Sequence, residues 1–184
     1  MRHLVLAFLK IILYNLMVYE FKSLREGVLV KYLVISDTHN FISNAVELIE
    51  KLKPDYCIHL GDMIQDCEEL EYIFPRQKFI FVKGNNDWAK NSMYPDDRFF
   101  ELEGKKFFLC HGHKFHVKSG TDYLKSHAKS LGADIVLFGH THVRHLECDG
   151  DMFIMNPGSI SRYGIINIEN GRVTAQIKKY EKDL

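Results

Sequence analysis

The sequence predicts an α/β fold whose polar functional groups gather at one edge of a sheet. Short apolar, β-favouring runs alternate with helix-period segments in the first half, the pattern of β-α-β units. The second half carries hairpin signals at Glu103-Gly104-Lys105, Asp149-Gly150-Asp151 and Asn170-Gly171, which announce antiparallel strands. Asp, Asn and His also recur directly after apolar runs, in Asp37-Thr38-His39, Gly61-Asp62, Gly84-Asn85-Asn86-Asp87, His111-Gly112-His113 and Gly139-His140-Thr141-His142. Ligands of open α/β sheets collect outside the carboxyl ends of strands.

Lys31 to Ser36 is short, apolar and β-favouring, and forms the first predicted strand. Ile42, Ala45, Val46, Ile49 and Leu52 then recur at helical spacing, with Ser43 or Asn44 as N-cap and Pro54 as the stop. Asp55 to Leu60 and Gln77 to Lys83 are the second and third strands, separated by a short helix that opens near Asp66 and ends at Pro75. Right-handed crossovers place the ends of these three strands on one edge, so Asp37, Asp62 and Asn85 converge. Arg98 to Leu102 and Lys106 to Cys110 form a hairpin that feeds His111. Thr121 to Leu131 is helical with Gly132 as its stop, and the buried strand Asp134 to Phe138 leads into Gly139-His140-Thr141-His142. Two hairpins, Glu147 to Met155 and Gly164 to Lys179, complete the chain.

At 184 residues one domain is expected, large enough for a full core without disulfide staples. The 24 basic residues balance 24 acidic ones, which argues against extended nucleic-acid contact, since that depends on neutralising phosphates. Cys57, Cys67, Cys110 and Cys148 show no C-x-x-C spacing and read as buried free thiols, pointing to a reducing cytoplasm. Residues 1–29 stand apart from the domain expected over 30–184. Leu4 to Tyr19 is apolar but interrupted by Lys10 and Asn15, and falls short of the roughly 20 residues a membrane span needs. Two readings stay open for it, an amphipathic surface helix and a mis-assigned start whose true initiator is Val30.

A single D-x-H is commonly only a turn followed by a satisfied histidine. The ordered series D-x-H, G-D, G-N-x-D, H-G-H and G-H-T-H, each after an apolar strand, is far more specific. On these motifs residues 31 to 180 resemble the calcineurin-like metallophosphoesterase superfamily, and its YfcE-type phosphodiesterase branch in particular. The resemblance implies a four-layer α-β-β-α sandwich with a mixed parallel and antiparallel pair of sheets, holding two divalent metals. It further implies Asp37, His39 and His142 on the first metal, Asn85, His111 and His140 on the second, and Asp62 bridging both. A bridging hydroxide is then the nucleophile, with Asp62, Asn85 and His113 as catalytic residues. Mixed imidazole and carboxylate donors suit Mn²⁺ first, with Ni²⁺, Fe²⁺ or Zn²⁺ as alternatives. Two such ions, less the charges of Asp37, Asp62 and the hydroxide, leave roughly +1, which favours a small phosphate ester.

Asn86 stands where many phosphomonoesterases of the family carry a substrate-contacting His, so no general acid is expected there and diesters or good leaving groups are favoured. Asn40 replaces a usual Gly, and Asn tolerates left-handed backbone. His113 either stands beside the phosphate with Asn86 or hydrogen-bonds a loop; both readings stay open. Asp87 is expected to orient a ligand, His116 and His145 to be surface or loop residues, and His59 to be a core or sheet-face residue. Asn156-Pro157-Gly158-Ser159 reads as a turn. The alternative function is a non-catalytic scaffold resembling the retromer subunit of this fold. Homo-oligomers are common in the family. Because every motif lies at or beyond Asp37, a chain starting at residue 30 is expected to stay soluble, bind two metals and keep its activity. Solubility, metal content and turnover of that truncated chain test this, and its unfolding would show that Leu4 to Tyr19 packs on the core.

Overall fold

The computed structural model describes residues 27–87 and 94–182. Two five-stranded mixed sheets lie face to face, with helices on both outer faces, giving the four layers that the resemblance implied. The first sheet has the order β10-β9-β1-β2-β3 and contains β1 (Val30–Ile35), β2 (Tyr56–His59), β3 (Lys78–Phe81), β9 (Arg162–Glu169) and β10 (Arg172–Lys179). The second has the order β4-β5-β6-β8-β7, built from β4 (Asp97–Leu102), β5 (Lys105–Cys110), β6 (Ile135–Leu137), β7 (His145–Asp149) and β8 (Met152–Asn156). In each sheet three adjacent strands run parallel, β1-β2-β3 and β5-β6-β8, so their carboxyl ends lie side by side.

The alternation of β1 explains the layering. Tyr32 and Val34 point between the sheets, where they meet Ile58, Leu60, Phe107, Leu109 and Leu137. Leu33 and Ile35 point outward to Ala45, Leu48 and Ile49 of helix α1 (Ser43–Leu52). A strand buried on both faces reads as a continuous apolar run. Helix α2 (Ile64–Ile73) covers the same sheet through Ile64, Cys67 and Leu70, while α3 (Asp122–Ser130) covers the second sheet with Leu124 and Ala128 against Phe108 and Val136. No helix among the described residues is long and apolar enough to cross a membrane.

Several local expectations need correction. The residue preceding α1 is Ile42, with no side-chain cap, rather than Ser43 or Asn44, because the chain arrives through a tight turn in which Phe41 N–H donates to Thr38 O at 2.9 Å. That helix closes on Lys53, whose left-handed backbone (φ 45°) returns its N–H to Ile49 O just before Pro54. Helix α2 opens at Ile64, ahead of Asp66, since the Asp87 carboxylate accepts from Met63 N and Ile64 N at 2.9 and 2.8 Å and caps the helix from a distant loop. His145 belongs to strand β7, not to a loop. Cys57, Cys67 and Cys110 are buried thiols, but Cys148 is exposed, because β7 is an edge strand whose alternate side chains face solvent. The turns Glu103-Gly104 and Asn170-Gly171 both use positive φ at two successive residues, the geometry two-residue hairpins require.

Candidate metal centre

The five motifs meet where the carboxyl ends of the parallel strands of both sheets come together. Asp37 follows β1, Asp62 follows β2, Asn85 follows β3, His111 follows β5 and His140 follows β6. Main-chain bonds lace the loops: Asp37 N–H to Gly61 O at 3.1 Å within the first sheet, and Gly139 N–H to His111 O at 3.0 Å within the second. Between the sheets, His140 N–H donates to Asp37 Oδ2 at 3.2 Å, and within the first sheet's own loop Ser36 Oγ donates to the same oxygen at 2.5 Å. A methyl group on Gly139 would lie 2.1 Å from Ser36 Oγ, and one on Gly84 would lie 2.1 Å from Asp62 Oδ1. Both glycines are there so that a backbone can approach a carboxylate loop.

The turns carrying these residues are bent sharply. Of the eleven non-glycine residues with positive φ among the described residues, seven lie here: Asp37, His39, Asn40, Asp62, Met63, His140 and His142. Each such residue costs on the order of 1 kcal/mol or more and persists because the surroundings fix it. Asp87 does much of the fixing, since its buried carboxylate accepts from the N–H groups of Asp62, Met63, Ile64 and Gly84. Asn156 fixes the opposite loop, donating from Nδ2 to Gly139 O at 2.7 Å and to Thr141 Oγ1 at 2.9 Å. The stretch read as a plain turn thus begins with a buried residue that holds the Gly139–Thr141 segment.

Two groups of donor atoms result, each within 4.8 Å: Asp37, His39 and His142, and Asp37, Asp62 and His111. His142 Nε2 is 3.2 Å from Asp37 Oδ1 and 3.5 Å from His39 Nε2. His111 Nε2 stands 3.4 Å from Asp62 Oδ1 and 4.0 Å from Asp37 Oδ1. By distance Asp37, rather than Asp62, belongs to both groups. The His140 ring lies 5.0 Å from that of His111, and the His113 ring 5.5 Å from it, so both line the same space without joining either group. Asn85 and Asn86 are exposed; Asn85 Nδ2 donates to Asn86 Oδ1, and Asn86 Nδ2 and N–H donate to Asp62 at 2.7 and 3.0 Å.

These donors fit divalent cations. Asp37 Oδ1 and His111 Nε2 are both fully buried with no hydrogen-bond partner, a costly arrangement unless something positive sits between them. His111 Nδ1 lies 2.7 Å from Leu60 O, which can only accept, so Nδ1 carries the proton and Nε2 presents its lone pair. Burial works against charge on His111, yet Asp62 and Asp37 outweigh it and raise its pKa, so a proton and a cation compete for one position. Burial also opposes charge on Asp62, but His111 and the Asn86 hydrogen bonds hold its carboxyl well below the usual range. His140 is depressed to about 4 by burial and by His111, leaving a neutral imidazole near pH 7.

Residues 30–175 match the calcineurin-like phosphoesterase superfamily domain. The chain belongs to that superfamily. Similar proteins include a phosphodiesterase of Methanocaldococcus jannaschii, 30% identical over 81% of this chain and 95% of the relative. The phosphodiesterase YfcE of Escherichia coli is 27% identical over 72% and 80%. Solved structures with this superfamily fold include a predicted phosphoesterase from Streptococcus pneumoniae, with a TM-score of 0.68, 26% identity and coverage of 83% and 91%. Vacuolar Protein Sorting 29 from Cryptosporidium parvum has a TM-score of 0.63 at 19% identity, covering 84% and 99%. The protein is a metal-dependent phosphoesterase of the calcineurin-like superfamily.

Sequence reasoning missed Asp66, Thr38 and His59, all buried behind the ligand loops. The available signal was Asp66 four residues after Asp62, on the buried face of a short helix. Burial, together with the positive charge of His111, depresses His59 to about 3 from the ordinary 6.5. Its neutral form therefore contributes stability fully present above pH 6.5 and lost as pH falls towards 3, by up to roughly 1.4 kcal/mol per pH unit. Urea midpoints of metal-free protein at pH 7 and pH 5 are expected to drop further for the parent than for His59→Asn; equal drops would contradict this.

Proposed function

We propose that the protein hydrolyses phosphodiesters at a two-metal centre, with Asp37, His39 and His142 on one divalent cation, Asn85, His111 and His140 on the other, and Asp62 joining them. The observation that supports this best is the pair of buried, unsatisfied donor atoms, Asp37 Oδ1 and His111 Nε2, each inside a cluster of metal-binding groups. Divalent ions held by these residues, Mn²⁺ first among them, would supply an acidified water as nucleophile and charge neutralisation for the phosphoryl oxygens. The side chains do the rest. Asp62, held ionised, keeps its orientation through the Asn86 amide and backbone, and His140 stays neutral and available as a donor. His113, whose Nδ1 is buried without a partner, contacts the phosphoryl group in this reading, and burial and His111 keep it neutral.

Asn86 cannot donate a labile proton, so the leaving group must depart unassisted from that position. Aryl phosphodiesters are therefore expected to show kcat/KM on the order of tenfold or more above alkyl phosphomonoesters with added Mn²⁺. A preference for alkyl monoesters would instead assign proton donation to His113, and His113→Ala would then remove it. A scaffold role, as a non-catalytic binding module, is the competing reading; the likeness to Vacuolar Protein Sorting 29 shows the fold alone. Absence of turnover on any phosphate ester with metal bound would favour it.

The bridge is tested separately. Asp62→Asn is expected to lower turnover on the order of a thousandfold and to weaken both ions, whereas His142→Ala empties mainly one site. Metal analysis decides: loss of both ions in Asp37→Asn but of one in Asp62→Asn would move the bridge to Asp37.

A further inference from the structure

Behind the candidate ligands runs a chain of hydrogen bonds that touches neither donor cluster. Gly61 N–H lies 3.2 Å from His59 Nδ1, and an N–H can only donate, so Nδ1 accepts and His59 carries its proton on Nε2. That Nε2–H faces Thr38 Oγ1 at 3.0 Å, and Thr38 in turn donates to Asp66 Oδ2 at 2.5 Å. The same Asp66 oxygen accepts Asn40 N–H at 2.9 Å. Every side chain in the series is buried, with Thr38 at 0%, His59 at 1% and Asp66 at 3% exposure, and every hydrogen has one direction it can point.

The two ends of the series are the two ligand turns. Gly61 precedes Asp62, and Thr38 and Asn40 flank His39 on both sides, where His39 and Asn40 hold φ of 47° and 66°. A left-handed turn of non-glycine residues needs outside groups to hold it, and Asp66 supplies one on each side of His39. We propose that Asp66, Thr38 and His59 are positioning residues that hold His39 against Asp37 and His142, and so set the affinity of that metal site and not of its neighbour. The proposal rests on the metal-centre reading above, but not on turnover or on the substrate.

Titration with Mn²⁺ by calorimetry on the full chain tests it. Thr38→Val keeps the shape, removes the hydroxyl that links His59 to Asp66, and is expected to weaken one ion ten- to a hundredfold while leaving the other within about twofold, the scale seen when groups that orient ligands are lost. Thr38→Ser restores the hydroxyl and is expected to restore the affinity. The double variant Thr38→Val with His142→Ala is expected to bind its remaining ion as His142→Ala alone does, because both changes act on one site. If Thr38→Val does not fold, Asp66→Asn takes its place, since that side chain bonds the residues on either side of His39, with a smaller loss at the same site. Equal weakening of both ions, or failure of Thr38→Ser to restore binding, would overturn the proposal. Two normal metal sites without phosphodiester hydrolysis would overturn the proposed function and leave this inference standing, whereas a parent protein that binds no Mn²⁺ would sink both.

Discussion

The centre depends on how closely the Gly139 backbone lies against Ser36 and Asp37. The two sheets are held together across their interior by apolar side chains, a packing with no directional preference of its own. At the carboxyl edge the contact becomes polar and specific, because one Asp37 oxygen takes both the Ser36 hydroxyl and the His140 N–H. That leaves the other oxygen, Oδ1, facing histidines of both groups, 3.2 Å from His142 Nε2 and 4.0 Å from His111 Nε2. Were the second sheet displaced outward by a methyl group at Gly139, His111, His140 and His142 would all retreat from Asp37 together.

Around that contact the chain tolerates a concentration of strained backbone that no single loop could hold. Buried polar side chains placed one layer back provide the support: Asp87 and Asp66 accept from the turns at Asp62 and His39, and Asn156 donates to the turn at Gly139. A carboxylate that accepts several main-chain N–H groups satisfies backbone that sheet and helix leave open. Asp87 also starts α2, so the helix and the Asp62 turn are set by the same side chain.

Much of this was legible from residue pattern. The parallel strands, the hairpin turns and the edge at which the motifs meet follow from periodicity and from turn chemistry, which act over a few residues. The convergence of Asp37 and Asp62 followed in turn from topology, whereas the gathering of His39, His111 and His142 around them followed from the resemblance to the superfamily. What was not legible depends on contacts distant in sequence. Ser43 or Asn44 looked like a cap because local rules favour them, yet the turn closed by Thr38 took precedence. The start of α2 was set by Asp87, more than twenty residues away, and Asn156 looked like a turn former because its partner at Gly139 lies on another strand. His59 was read as a core residue, correctly as to burial, but its link from Gly61 to Thr38 is a matter of ring orientation that spacing does not encode.

The pairing of β1 has a bearing on the order in which the sheet assembles. The strand's parallel neighbour β2 lies close by in sequence, but its other neighbour is β9, with Val30 opposite Ile168. Until β9 joins it, β1 has one open edge, and that pairing requires the slow closure of a very long loop. Asp37 and His39 sit at the end of that strand. Their turn is braced by Gly61 and Asp66, close in sequence, while the strand that leads into it gains its second partner only when a segment more than a hundred residues away has joined the sheet.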